Sequence, residues 1–151
     1  MSNSTNIELL QYAQKHKIPL SGVYSKDKLP NGYTDNTGII INMADSNKSG
    51  THWVSVYVSN NTPIYFDSYG AVPPREVINY MEKINKKNWV INKQQIQSLQ
   101  SGYCGYYCIY FIKEMSINKV NSPSFKLNSF LKKFSIDSKT NLKLLKHYLN
   151  L

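Results

Sequence analysis

The stretch at residues 51–70, THWVSVYVSNNTPIYFDSYG, decides how this chain folds. In its first half Val54, Val56 and Val58 alternate with Trp53, Ser55 and Tyr57, which is the two-residue period of a β-strand. Ser59-Asn60-Asn61-Thr62 reads as a turn, and Pro63 to Gly70 resumes with β-branched and aromatic residues. The pattern is a hairpin. One strand opens on His52 and its partner closes on Asp67, whose side chain can reach across to the imidazole. Strands are rigid supports, so the hairpin holds a histidine and a carboxylate as a unit.

Outward from the hairpin, Thr5-Asn6-Ile7-Glu8 has the spacing of a capping box. Ile7, Leu10 and Ala13 follow at helical intervals, predicting a first helix over 6–16. Leu20 to Asn36 is rich in Gly, Pro, Asp and Asn and reads as loop, while Gly38 to Met43 is an apolar run suited to a buried strand. After Pro74, Val77, Ile78, Met81 and Ile84 mark one face of a helix. Residues 89–91 suit another short strand. From Cys104, the residues Tyr107, Cys108, Phe111, Ile112 and Met115 trace a buried amphipathic helix. A basic helix over 138–149 turns Leu142, Leu145 and Leu149 inward. The expected architecture is α+β, a small mixed sheet flanked by helices, in one domain over 1–151.

Composition narrows the function classes. The chain has 151 residues, 41% hydrophobic and 13% aromatic, enough to bury a core. No apolar run approaches the ~20 residues that span a bilayer, and MSNSTNIELL lacks a signal-peptide pattern, so a secreted or membrane protein is not expected. The formal charge is +9, with 18 basic against 9 acidic residues. It is uneven: from Lys83 onward twelve lysines face only Glu114 and Asp137. Such asymmetry suits a nucleic-acid surface. It equally suits the Lys, Asn, Ile and Tyr usage of an A+T-rich genome, since Arg75 is the sole arginine.

Both cysteines lie in QSGYCGYYC, residues 100–108. Two are too few for a disulfide framework, and positions one turn apart on a helix suit a disulfide poorly. Cys104 sits at the first turn, where unpaired N–H groups and the helix dipole favour a thiolate. Cys108 falls on the apolar stripe and reads as inert packing. A nucleophilic thiol needs an imidazole and a group to orient it. Of the three histidines, His16 and His147 end or flank surface helices, and His52 alone opens a strong strand. Gln94, Gln95, Gln97 and Gln100 precede the cysteine, and any of them can supply an amide to an oxyanion, or line a polar loop. A zinc site from Cys104, Cys108 and one histidine lacks a second ligand pair at recognisable spacing, so no metal is expected.

GTHWVSVYV, YFDSYG and QSLQSGYCGYYC, in that order, resemble the adenovirus-type (adenain-like) maturation cysteine proteases. LSGVYSKDKLP and YFDSYGAVPP resemble the virophage and Polinton/Maverick branch in particular, and the resemblance runs from about Leu20 to Met115. It implies an adenain/Ulp-like fold with Cys104 at a helix N-terminus as nucleophile, His52 as general base and Asp67 as its orienting acid. Gln97 stands at the family's oxyanion offset, with Gln100 as the fallback. Trp53 would shape a narrow substrate cleft, and Gly105 would let the helix approach the sheet.

The implied substrates are viral capsid or core precursors, cut beside small residues such as Gly during virion maturation. The enzyme would act as a monomer in the host cytoplasm or viral factory and be packaged in the virion. The family's peptide cofactor is tethered through a further cysteine that this chain does not offer. DNA as a stimulating cofactor is compatible with the Lys-rich half. Two alternatives stay open: a deconjugase for SUMO or ubiquitin-like tails, from which Tyr103 and the short chain point away, and a non-catalytic basic nucleic-acid-binding module of the same fold.

Overall fold

The hairpin forms the middle of a five-stranded mixed sheet with strands in sequential order, β1 to β5. A computed structural model of the chain describes residues 5–45, 52–98 and 102–151. The strands are β1 (Leu20–Ser25), β2 (Thr37–Asn42), β3 (Trp53–Ser59), β4 (Thr62–Phe66) and β5 (Val90–Ile91). The β2–β3 and β3–β4 pairs are antiparallel, while β1 on β2 and β5 on β4 are parallel. Asn60 and Asn61, both at positive φ, make the two-residue turn of the hairpin, a conformation that asparagine tolerates and that matches the strand twist. Ser55 pairs with Phe66 near the far end of the ladder, so His52 and Asp67 emerge together there.

The helices are α1 (Asn6–Lys15), α2 (Arg75–Ile84), α3 (Cys104–Ile117), α4 (Pro123–Leu131) and α5 (Ser138–Leu149). Period-two alternation sends Trp53 and Tyr57 to one face, against α1, α3, α4 and α5. Val54 and Val56 go to the other, against Val77, Tyr80 and Met81 of α2. Every residue of β3 is therefore buried. Its serines sit inside as well, and Ser55 satisfies its hydroxyl by donating to the Ile39 carbonyl at 2.8 Å. Helix α3 lies across the sheet centre. Phe111 stacks on Phe66 at 5.0 Å between centroids, and Phe130 of α4 meets both rings edge-on.

Several expectations change in detail. The segment 20–36 opens with strand β1 and a short 3₁₀ turn at Lys26–Lys28 before becoming loop. Gly22 sits at an irregularity in the β1–β2 register, and the polar composition masked a strand held by ladder hydrogen bonds. The capping box of α1 is present, yet Leu9 and Ala13 face inward while Ile7 is 62% exposed, so the buried stripe is rotated from the expected one. In α2 the inward aromatic is Tyr80, with Ile78 and Ile84 only half-buried. Helix α4 has no counterpart in the sequence reading. Its signals are a Ser122 N-cap accepting from the Phe125 N–H, Pro123 at the first helical position, and Leu127, Phe130 and Leu131 directed inward.

Candidate active site

Three elements converge where β3 begins, β4 ends and α3 begins. His52 precedes β3, and its carbonyl extends the β2–β3 pairing by accepting from the Met43 N–H at 2.9 Å. Asp67 follows β4. The two side chains meet with His52 Nε2 2.7 Å from Asp67 Oδ1. The same carboxylate oxygen accepts the Tyr69 N–H at 2.9 Å, and the Tyr69 ring stacks on the imidazole at 3.9 Å, 8° from parallel. The histidine is thus fixed at its edge by a carboxylate and across its face by an aromatic ring.

Asp67 is 1% exposed, so its position depends on what satisfies it. Asn92, also buried, donates from Nδ2 to the Asp67 carbonyl at 2.7 Å and accepts the Asp67 N–H at 2.8 Å. This side-chain amide continues the strand's hydrogen bonding beyond the β4–β5 ladder. Gly70 completes the turn at φ +72°, its N–H bonded to the Asp67 carbonyl at 2.8 Å. A Cβ at Gly70 would lie 2.6 Å from the Lys93 carbonyl, so glycine alone lets the segment after β5 cross this turn. Neither Asn92 nor Tyr69 was singled out by the sequence reading. The asparagine carries no motif signal, while the tyrosine adjoins Asp67 and was legible only as part of an aromatic run.

Helix α3 starts on Cys104, and Tyr103 before it supplies no side-chain cap to the first N–H groups. The end of the helix therefore keeps its partial positive charge directed at the thiol. Cys104 is 3% exposed and free, as is the fully buried Cys108. Burial pushes the Cys108 thiol well above its ordinary range, and the nearby Cys104 and Asp67 add to this. Its thiolate is suppressed accordingly.

His52 responds in the opposite sense. Burial alone would disfavour the charged ring. The hydrogen-bonded Asp67 carboxylate, with the neighbouring Cys104, outweighs it and lifts the His52 pKa from 6.5 to about 9. With Nε2 given to Asp67, the buried Nδ1 has no hydrogen-bond partner among the described residues.

Gln97 is buried at 1% exposure beside this turn. Its N–H donates to the Ser68 carbonyl at 3.1 Å, the neighbouring Ile96 N–H to the same oxygen at 2.9 Å, and the Ser68 hydroxyl donates to Gln97 Oε1. Asn141 of α5 holds the segment from behind, donating to the Ile96 carbonyl at 3.0 Å. Gln94 and Gln95 are exposed, and Gln100 lies outside the described residues. Trp53 is 7% exposed and belongs to the same core cluster as Cys104. His16 and His147 are exposed. Among the described residues no group of three or more His, Cys, Asp and Glu side chains is placed to hold a metal ion, and no helix is long and apolar enough to cross a membrane.

No protein-family model and no curated protein sequence matches the chain. Solved structures do. The ASFV pS273R protease, in its selenomethionine form, superposes with a TM-score of 0.54 at 19% identity over 85% of this chain and 62% of its own. A second structure of the ASFV pS273R protease gives the same TM-score and identity over 85% of this chain and 66% of its own. The chain therefore spans less than two thirds of the length of these proteases. The α+β architecture, a five-stranded sheet flanked by helices, is the fold these two structures share with the chain.

Proposed function

We propose that the chain is a cysteine endopeptidase in which Cys104 is the nucleophile, His52 the general base and acid, Asp67 the group that orients and charges the histidine, and Gln97 an oxyanion donor. The observation that carries the reading is the shared environment of three side chains. Asp67 holds His52 Nε2 at 2.7 Å, and the Cys104 thiol acts on the same ring from the start of α3. A histidine held by a buried carboxylate, its pKa raised to about 9, together with a cysteine at a helix N-terminus, supplies the base and nucleophile that thiol chemistry requires.

In this mechanism His52 takes the Cys104 proton as the sulfur attacks the peptide carbonyl carbon, forming the C–S bond and moving the carbonyl π electrons onto the oxygen. The first N–H groups of α3 and the Gln97 amide stabilise that oxyanion. As the tetrahedral adduct collapses, the C–N bond breaks and the leaving amine takes the proton from His52. Water then gives a proton to His52, attacks the thioester and releases the acid, restoring the thiol–imidazole pair.

Within the same reading the enzyme is of the adenain-like type, closest to the virophage and Polinton/Maverick branch. Its substrates are viral capsid or core precursors, cleaved beside Gly during virion maturation, with DNA as a stimulating partner for the Lys-rich half. The test is labelling by iodoacetamide from pH 5 to 9 with mass-spectrometric mapping, alongside cleavage of Gly-containing peptides with and without duplex DNA. Selective modification of Cys104 well below the free-thiol pKa of about 8.5, lost in His52→Ala, is the expected outcome. A thiol that stays silent in the folded protein, with and without DNA, would favour the non-catalytic binding module. Selective hydrolysis of an intact ubiquitin-like conjugate over a linear precursor would favour the deconjugase.

A further inference from the structure

Consecutive residues of the turn after β4 serve two different parts of the site. Asp67 holds the His52 imidazole, and Ser68 holds Gln97. Ser68 is fully buried and contacts Gln97 at both ends: its carbonyl accepts the Gln97 N–H, and its hydroxyl donates to Gln97 Oε1. A glutamine side chain has three rotatable bonds, and its amide has two nearly isosteric ends of opposite polarity. Only the nitrogen end can stabilise an oxyanion; a carbonyl oxygen in its place would repel it. With a hydroxyl donated to Oε1, the oxygen is occupied on the side of the turn, and the amide nitrogen is the end directed elsewhere.

We propose that Ser68 is a positioning residue for the reaction, setting the orientation of the Gln97 amide while its neighbour Asp67 sets that of His52. One rigid turn thereby ties the base and the oxyanion donor to a common frame. Asn92 clamps this turn at Asp67, and Gly70 allows the 93–95 segment to lie against it. The inference rests on the acyl-transfer reading, in which Gln97 faces the oxyanion.

Its test uses the full-length chain, a peptidyl-Gly-Gly aminocoumarin as probe, and four proteins beside the wild type: Ser68→Ala, Ser68→Thr, Gln97→Ala and the Ser68→Ala/Gln97→Ala double variant. Gln97→Ala is expected to lower kcat by about 10²–10³-fold, the usual cost of one oxyanion donor, and Ser68→Ala by about tenfold or more, with KM changed less than about twofold. Ser68→Thr, which keeps the hydroxyl, recovers most of the rate. In the Gln97→Ala background Ser68→Ala costs nothing further, because residues that act through one another are not additive. Iodoacetamide modification of Cys104, which reports the thiol–imidazole pair and involves no oxyanion, keeps its wild-type rate and pH profile in all four.

Wild-type kcat in Ser68→Ala overturns the proposal, as does full additivity in the double variant. A parallel fall in alkylation would assign Ser68 to the support of His52 instead, and also overturns it. If Ser68→Ala fails to fold, Ser68→Cys, close in size and a weak donor, takes its place with the same expectations. A wild type that alkylates selectively yet turns over no peptide refutes the proposed function itself and removes this proposal with it.

Discussion

Replacing Asp67 by asparagine keeps the shape of the site and removes its buried negative charge. Asparagine Oδ1 can still accept from His52 Nε2 and from the Tyr69 N–H, so the ring keeps its edge contact. What is lost is the charge that favours the imidazolium. The lift of His52 from 6.5 to about 9 corresponds to about 3 kcal/mol of preference for the protonated ring, shared between Asp67 and Cys104. With the carboxylate gone, burial of the ring is opposed by the thiol alone, and the His52 pKa is expected to fall by one unit or more.

The sign of the stability effect follows from linkage. A pKa raised on folding contributes stability that is complete below the unfolded value near 6.5 and is lost as pH rises through about 9. Asp67→Asn should therefore cost about 1–3 kcal/mol at pH 6. The deficit should shrink towards pH 9.5, where the wild type carries a 1% exposed carboxylate beside a neutral ring. The assay is histidine-ring NMR titration of wild type and Asp67→Asn, in which exposed His16 and His147 supply separate resonances, combined with urea unfolding at pH 6 and 9.5. Catalysis should lose its alkaline limb at a correspondingly lower pH. An unchanged His52 titration in Asp67→Asn, or a stability deficit equal at both pH values, would refute the electrostatic role given to Asp67.

Three further outcomes are expected. Cys104→Ala should abolish turnover with little change in Tm, whereas Cys108→Ala should retain turnover and lose about 1–2 kcal/mol in urea unfolding from the void left in a fully buried site. Comparable loss of activity in two well-folded variants would remove the distinction between the thiols. Gly70→Ala sets a Cβ 2.6 Å from the Lys93 carbonyl at positive φ, and should cost about 2 kcal/mol or more as well as kcat, by displacing the segment that carries Gln97; wild-type kinetics would show that the segment tolerates the shift. Asn92→Ala strips the two hydrogen bonds that Asn92 makes to the Asp67 backbone, leaving that from the Gly70 N–H, and should cost about 2–3 kcal/mol in unfolding and lower the His52 pKa by ring NMR; a normal titration would show that Asp67 holds its place without it.

Much of the site was legible because its chemistry is carried by short-range patterns. Alternation in 53–58 and the Asn60-Asn61 turn specify a hairpin, and a hairpin's register brings its two outer ends together, so His52 meeting Asp67 follows from local geometry. Cys104 at a helix start and Cys108 one turn deeper follow from the 3.6-residue period of the apolar stripe. The choice among the glutamines was not decidable by chemistry along the chain alone, because four similar side chains sit within seven residues of a polar stretch. Gln97 came forward there only through a family resemblance. In the fold, Gln94 and Gln95 face solvent while Gln97 is buried against Ser68.

Strand β1 was missed because a strand's partner is distant in sequence and polar composition does not record it. Helix α4 was missed because it is short, nine residues, and its central Phe130 gains its meaning from Phe66 and Phe111 on other elements. The same division holds for function. Residue types, periodicity and capping are properties of neighbours along the chain, and these by themselves specify a thiol at a helix end and a histidine on a strand. Which buried amide faces which hydroxyl, how far a carboxylate charges an imidazole, and which glycine permits two segments to cross are set by contacts between residues 15 to 45 positions apart. Those contacts exist only once desolvation has forced each buried polar group to find its partner, and that selection is made by the tertiary structure.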